Sequence, residues 1–155
     1  MTSHIDKKNN PIMLNISNKI ISLRIAEAEG EVKFDEKTFK KIENLKSKKG
    51  SINSVAIIAG IMGAKETSRL LPLCHNIPIE SVNIEIKKIA SKNLIKVRAI
   101  VKTSSKTGVE MEALTAVSIS CLTIYDMCKY LNKSIKISNI KLISKKGGKS
   151  GIFQI

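Results

Sequence analysis

The stretch VNIEIKKIASKNLIKVRAIVKT, residues 82–103, contains two runs in which apolar and polar side chains alternate. The apolar positions are Val82, Ile84 and Ile86 in the first run and Ile95, Val97, Ala99 and Val101 in the second. A period of two is typical of a β-strand with one buried face. The four residues ASKN between the runs predict that the two strands form a hairpin.

The chain before this hairpin predicts one strand and two helices. Residues 14–33 alternate in the same way as the hairpin and indicate a strand. Asp35 can cap a helix that stops at Gly50, and Ser51 or Asn53 can cap a second helix. Each cap supplies a side-chain oxygen for the free amides of the first helical turn.

The chain after the hairpin predicts a long helix over residues 110–131, apolar nearly all round, and a last strand over 134–144. The element order β, α, α, β, β, α, β approximates a ferredoxin-like split βαβ. We therefore expect an α+β fold, with an antiparallel sheet and helices packed on one face. A helix that is apolar on every side in so small a domain indicates that a partner chain covers one side.

Length and composition bound the class of protein. The 155 residues, 43% hydrophobic and 26% charged, suit one soluble domain, and we expect residues 1–12 to be a loose segment before a single domain at 13–155. No apolar run approaches the ~20 residues of a membrane helix, and no signal peptide is recognisable. Three cysteines form no disulfide framework, which favours the cytoplasm.

The net charge of +14 raises the question of a nucleic-acid partner. An RRM-like module would have a similar element order, but it needs aromatic side chains on its central strands. Neither 82–88 nor 94–103 contains an aromatic residue, and the chain has no Trp. A small, highly phosphorylated substrate would need only a few lysines in one pocket, and heavy use of lysine can also reflect an AT-rich genome.

The stretch PLCHNIP, residues 72–78, places Cys74 and His75 between two prolines. It has three interpretations: a metal site, a catalytic pair, or a stiff turn. A structural zinc ion needs four ligands at recognisable spacings, and the chain has no Cys-x-x-Cys or His-x-x-x-His. Adjacent side chains generally point apart, so this cysteine and histidine make a poor nucleophile and base.

The long helix carries charges that need an explanation. Asp126 and Lys129 are three residues apart and share a face, Glu112 lies on roughly the same side, and Glu110 begins the helix. One interpretation is an exposed ion pair of little energetic value. The other is a partly buried pair, in which desolvation lowers the pKa of Lys129 enough for proton transfer near neutral pH.

The stretch KGGKSG, residues 146–151, is not a P-loop, because position 143 is Ile where that motif needs a glycine. It is either a disordered basic terminus or a lid whose lysines, including Lys145, close over phosphates. Thr107-Gly108 joins a strand to the long helix and delivers Glu110 to the end of the sheet. Lys49 lies between two helices, where a solvated lysine is the default interpretation.

Several of these segments together resemble one known family. PLCH, KTGVEMEALTA, LTIYDMCK and GGKSG, in this order and spacing, resemble the cyclic pyranopterin monophosphate synthases, the molybdenum cofactor biosynthesis protein C (MoaC) family. The resemblance runs from about Met13 to Gly151. It implies conversion of (8S)-3′,8-cyclo-7,8-dihydroguanosine 5′-triphosphate to cyclic pyranopterin monophosphate and diphosphate, a phosphorus–oxygen lyase reaction.

The resemblance also implies an assembly and a set of site residues. It implies a ferredoxin-like homohexamer, a trimer of dimers with active sites at subunit interfaces. It implies no metal site and no cofactor beyond a magnesium ion that accompanies the triphosphate, and neither nucleic acid nor membrane as a partner. The catalytic residues would be Asp126, Lys129 and Lys49. The substrate-binding residues would be Leu73, Cys74, His75, Glu110, Met111, Glu112 and Lys145.

Three positions depart from the family pattern. Asn15 stands where an aspartate is usual, Asn76 follows the histidine where proline is usual, and Glu66 stands where a basic residue is common. None of the three belongs to the residues with implied catalytic roles. We expect Asn76 to loosen the turn, and Glu66 to weaken phosphate attraction if it faces the pocket.

Overall fold

A computed structural model describes residues 4–43, 51–148 and 151–155. Within these residues five strands form one sheet, and three α-helices accompany it. The strands are β1 Ser22–Lys33, β2 Ser81–Ile89, β3 Leu94–Ser105, β4 Lys136–Lys146 and β5 Phe153–Gln154. The helices are α1 Glu36–Glu43, α2 Ile52–Leu70 and α3 Glu110–Cys128, and a 3-10 turn at Ala90–Lys92 closes the hairpin.

The sheet has the strand order β2-β3-β1-β4-β5, and every neighbouring pair is antiparallel. Its first four strands follow the order of a ferredoxin-like fold, so the predicted fold class is confirmed. The predicted hairpin is present as β2 and β3, in register from Ser81 opposite Lys102 to Ile89 opposite Leu94. The strict period of two explains this accuracy, because one slip would expose every apolar residue of the strand.

The core lies between the sheet and the helices. Alternate residues of β1 and β3 are buried against α3, among them Ala28, Val97 and Val101. Helix α2 crosses α3 at Gly60, where a Cβ atom would lie 2.9 Å from the carbonyl oxygen of Ala116. The missing side chain lets the two helix backbones approach closely. The α2–α3 pair therefore forms a layer that covers one face of the sheet.

The sequence predicted that a partner chain covers one side of the long helix, but helix α2 of the same chain covers part of α3. Ile119 of α3 packs against Gly63 of α2. Leu122 stays 53% exposed. By length and composition α3 could span a membrane, but an internal helix passes the same test, and α3 is packed between the sheet and α2.

Several predicted boundaries were wrong. The first strand begins at Ser22 and not at residue 14, because the Asn15 side chain accepts a hydrogen bond from the Ser17 amide (2.8 Å) and turns the chain. Helix α3 ends three residues early, at Cys128. Asp35 caps α1 as predicted, since its carboxylate accepts the Thr38 amide at 2.8 Å. The predicted end of that helix at Gly50 lies outside the described residues, and β5 was not predicted.

The face of the sheet opposite the helices is charged. The Glu27 carboxylate lies 2.7 Å from Nε of Arg98, and Glu29 lies 3.3 Å from Nζ of Lys96 and 3.5 Å from Nζ of Lys141. Ion pairs of this kind contribute little stability, since water competes for each partner. They account for part of the high lysine content as solvated surface.

Candidate active site

The loop between β3 and α3 places two glutamates at the start of a helix. Residue Gly108 of this loop has no side chain, and a Cβ atom there would lie 2.6 Å from the carboxylate carbon of Glu110. The Glu110 carboxylate can therefore fold back over the loop. It lies 3.1 Å from Nζ of Lys145 on β4, and both side chains are mostly buried. The predicted substrate-binding residues Glu110 and Lys145 thus form an ion pair between two segments.

Glu112 is the buried acid of this region. It is only 5% exposed, and burial raises its pKa to about 6, with a smaller contribution from the charge of Glu110. Burial also raises the pKa of the Cys74 thiol, and the nearby Glu112 carboxylate raises it further. Cys74 therefore lies near Glu112. A carboxyl group with a pKa of about 6 can exchange protons close to neutral pH.

The turn that carries Leu73, Cys74 and His75 is held at both ends. The Cys74 amide donates to the Leu71 carbonyl at 3.1 Å. Further along, the buried Thr103 hydroxyl of β3 donates to the Pro78 carbonyl. These bonds support the interpretation as a stiff turn beside Glu112. Within the described residues, no three His, Cys, Asp or Glu side chains are grouped so that they could hold a metal ion.

The other end of α3 carries Asp126 and Lys129. The carboxylate and Nζ are 2.6 Å apart, but the two side chains are 68% and 54% exposed. The hydrogen bond and the charge of Asp126 raise the pKa of Lys129 above its ordinary value. The interpretation as a partly buried pair with a lowered lysine pKa is wrong for the single chain. The helix ends at Cys128, so Lys129 lies on an exposed turn.

The two ends of α3 are far apart. Asp126 follows Glu112 by fourteen residues, which is about 21 Å along the axis at 1.5 Å per residue. Lying on one side of the helix does not bring the two groups together. Met111 lies with the other substrate-binding candidates at the amino end of α3 and is 40% exposed. Lys49 lies outside the described residues, and the single chain does not join Asp126 and Lys129 to the Glu112 region.

The three departures from the family pattern lie on the surface. Glu66 forms an exposed ion pair with Arg69 on α2, with 3.1 Å between Oε2 and Nη1. Asn15 forms the turn before β1, and Asn76 is exposed.

Two polar residues near this region were missed by the sequence reasoning. Thr103 and Arg24 lie opposite each other on β3 and β1, on the face that packs against the helices. Most other positions on this face are apolar and buried, including Ala26 and Val101. For Thr103 the available signal was a hydroxyl side chain in the apolar half of an alternating strand. Arg24 offered no such signal, because it alternates with the apolar residues Leu23 and Ile25.

Comparison with known proteins shows the family of this chain. The model of the MoaC family matches residues 13–148. A cyclic pyranopterin monophosphate synthase of Helicobacter hepaticus is 48% identical over 151 residues, 97% of this chain and 95% of its own. Proteins of the same name from Trichodesmium erythraeum and Campylobacter jejuni are 46% and 48% identical, over 99% and 97% of this chain and 92% and 96% of theirs. The chain therefore belongs to the MoaC family.

Proposed function

We propose that this protein is a cyclic pyranopterin monophosphate synthase of molybdenum cofactor biosynthesis. The observation that carries the proposal is the group formed by buried Glu112, the Cys74 turn and the Glu110–Lys145 pair. This group lies in a chain 46–48% identical to proteins of that name. The reaction converts the 3′,8-cyclised dihydroguanosine triphosphate to cyclic pyranopterin monophosphate and diphosphate, which makes the enzyme a phosphorus–oxygen lyase.

Substrate binding is assigned to the amino end of α3. A triphosphate carries about four negative charges, which a few lysine side chains can attract and orient. Lys145 supplies one positive charge, and Glu110 holds that ammonium group in place at 3.1 Å. The turn with Leu73, Cys74 and His75, together with Met111, supplies the contacts to the ring system.

Proton transfer is assigned to the lysines and their acidic partner. Opening the five-membered ring of the purine needs a proton donor and a base. Lys129, held by Asp126 at 2.6 Å, and Lys49 fill these roles. Closing the cyclic phosphate expels diphosphate, and ammonium groups stabilise the charge that develops on this leaving group.

The distance between the two ends of α3 supports an assembly in which chains share a site. Glu112 and Asp126 are about 21 Å apart along the helix, so one substrate cannot contact both within a single chain. We propose that the carboxyl end of α3 in one chain meets the amino end of another, in a homohexamer built as a trimer of dimers. Burial by the neighbour would also lower the pKa of Lys129 towards neutrality, because desolvation disfavours the ammonium form.

The remaining assignments concern cofactor, partner and compartment. The chemistry involves no net oxidation or reduction, and we propose that the enzyme has no resident cofactor, with magnesium arriving on the triphosphate. We place the protein in the cytoplasm, with no membrane or nucleic acid as a partner. An RRM-like role needs aromatic side chains on the central strands, and the central strands β1 and β3 have none.

The direct test is turnover by the purified protein. Incubation with the cyclised triphosphate should release diphosphate and form the cyclic monophosphate in equal amounts, measured by a coupled diphosphate assay and mass spectrometry. Guanosine triphosphate is the matched control, because it carries the same triphosphate without the 3′,8 bond, and it should release none. Tight binding of RNA without any turnover would contradict the proposal and favour the nucleic-acid alternative.

A further inference from the structure

Arg24 is a charged residue on the inward face of β1, where it reaches the loop that leads to Glu110. Its Nε donates to the carbonyl oxygen of Ser105 at 3.2 Å, and Nη2 donates to that of Lys106 at 3.4 Å. These two carbonyls lie where β3 ends and the loop begins. One planar guanidinium group therefore holds the last residue of β3 and the first residue of the loop.

The same side chain supports the segment that follows β4. Gly147 and Gly148 have φ angles of +104° and +78°, which residues with side chains rarely adopt. A Cβ atom on Gly148 would overlap Nη1 of Arg24, and one on Gly147 would lie 3.2 Å from its Cδ. The chain therefore passes directly over the arginine after leaving β4, and the guanidinium lies between the two segments.

These two segments also carry the Glu110–Lys145 ion pair. Glu110 follows the loop held by Arg24, and Lys145 precedes Gly147 by two residues. We propose that Arg24 is a positioning residue that fixes both segments, so that Glu110 and Lys145 keep the geometry that receives the triphosphate. The substrate in this statement rests on the proposed function, whereas the positioning of the two segments does not.

Steady-state kinetics of two variants should separate the effect of the planar guanidinium group from the effect of its positive charge. Arg24→Lys keeps the positive charge but loses the planar group that spans two carbonyls, and Arg24→Gln loses both. We expect each variant to raise KM for the cyclised triphosphate about tenfold and to lower kcat less than about threefold. The control is Arg69→Gln on α2, whose side chain is 81% exposed, and its KM should not change. Wild-type KM in Arg24→Lys would overturn the proposal, because charge alone would then suffice.

Two glycines provide a matched test of the contact. Gly151 has a φ of +67°, similar to Gly148, but nothing lies within 4 Å of a Cβ atom added there. Both alanine variants carry backbone strain, whereas only Gly148→Ala meets Arg24. We expect Gly148→Ala to raise KM as Arg24→Gln does, and Gly151→Ala to raise it less. The double variant Arg24→Gln/Gly148→Ala should be no worse than Arg24→Gln alone, and fully additive effects would contradict the contact.

Hydrogen exchange tests the positioning role without any enzyme assay. In Arg24→Gln, backbone amides of residues 105–110 and 145–148 should exchange faster together, while those of α2 keep the wild-type rate. Faster exchange in only one segment, or in neither, would overturn the proposal. If the wild-type protein turned over no substrate, the proposed function would fail, and the exchange result would still decide the role of Arg24.

Discussion

The two ends of helix α3 each carry two charged side chains within four residues, but those side chains differ in burial. At the amino end, Glu112 is buried with its pKa raised to about 6, and Glu110 is paired with Lys145. At the carboxyl end, Asp126 and Lys129 form a short ion pair that is more than half exposed. The spacing of two charged residues along a helix therefore does not predict whether their side chains are buried.

This contrast separates residues that affect stability from residues that affect only chemistry. A buried carboxylate carries a desolvation cost in the folded state, which substitution can remove. An exposed ion pair carries almost no desolvation cost, so its substitution leaves the free energy of unfolding nearly unchanged. If both ends serve one active site, substitution at either end should abolish turnover, and only the amino end should change stability with pH.

The largest effect is expected for Lys129→Ala. Loss of the ammonium group should lower turnover of the cyclised triphosphate at least about a hundredfold, because it removes a proton-transfer group. The fold and substrate binding should stay largely intact, since the side chain is exposed. Steady-state kinetics and equilibrium binding measure the two effects. Lys133→Ala, in the exposed turn just beyond, is the control. Turnover within a few-fold of wild type would contradict the assignment.

Complementation tests whether the two ends meet across chains. Glu112→Gln and Lys129→Ala should each be inactive, but mixing them equally under subunit exchange should restore about a quarter of wild-type activity, because half of the dimers hold one intact site of two. Lys129→Ala mixed with Asp126→Asn is the control, since both changes lie at one end and restore nothing. Mass spectrometry should first show that mixed oligomers have formed. If these mixed oligomers have no activity, the two ends do not share a site.

Stability against pH tests the burial of Glu112. Its folded pKa of about 6 lies above the ordinary value of 4.5, so the folded state binds more protons between these values and stability falls as pH rises through them. At pH 7 the free energy of unfolding of Glu112→Gln should therefore exceed that of wild type by about 2 kcal/mol. Below pH 4.5 this difference should disappear, because Glu112 is then protonated in both the folded and the unfolded state. Urea denaturation at both pH values measures this. Glu110→Gln, which removes the Lys145 partner, should instead cost stability, and an equal gain in both variants would contradict the prediction.

The smallest effect is expected for the stability of Asp126→Asn. The carboxylate is 68% exposed, so its removal should change the melting temperature by no more than about 1 °C. Differential scanning fluorimetry measures this for the single chain, on protein diluted until light scattering shows that the oligomer has dissociated. A fall of several degrees would show that the pair supports the fold, and would weaken the contrast between the two ends.

The alternation of apolar residues and the capping residues predicted most of the helices and strands. Where these local patterns gave a wrong prediction, the structure shows the cause. The alternation of residues 82–103 predicted β2 and β3, and Asp35 caps α1 through the Thr38 amide. Strand β5 has only two residues and offers no period to detect. The predicted first strand begins eight residues before β1, because the alternation of apolar residues continues through a turn that the Asn15 side chain forms. Arg24 alternates with the apolar residues Leu23 and Ile25, so only the structure shows that it faces inward and what it holds.

By itself, the sequence determined the α+β class, the order of the elements and the family, because periodicity and motif spacing are local properties of the chain. Which carboxylates are buried was decided only by the tertiary structure. Glu112 is enclosed near the Cys74 turn, whereas Asp126 lies on the solvent-facing side of α3, between the buried residues Ile124 and Cys128. Burial depends on neighbours distant in the chain, and a pKa follows burial, so neither could be read from the spacing of charges along one helix.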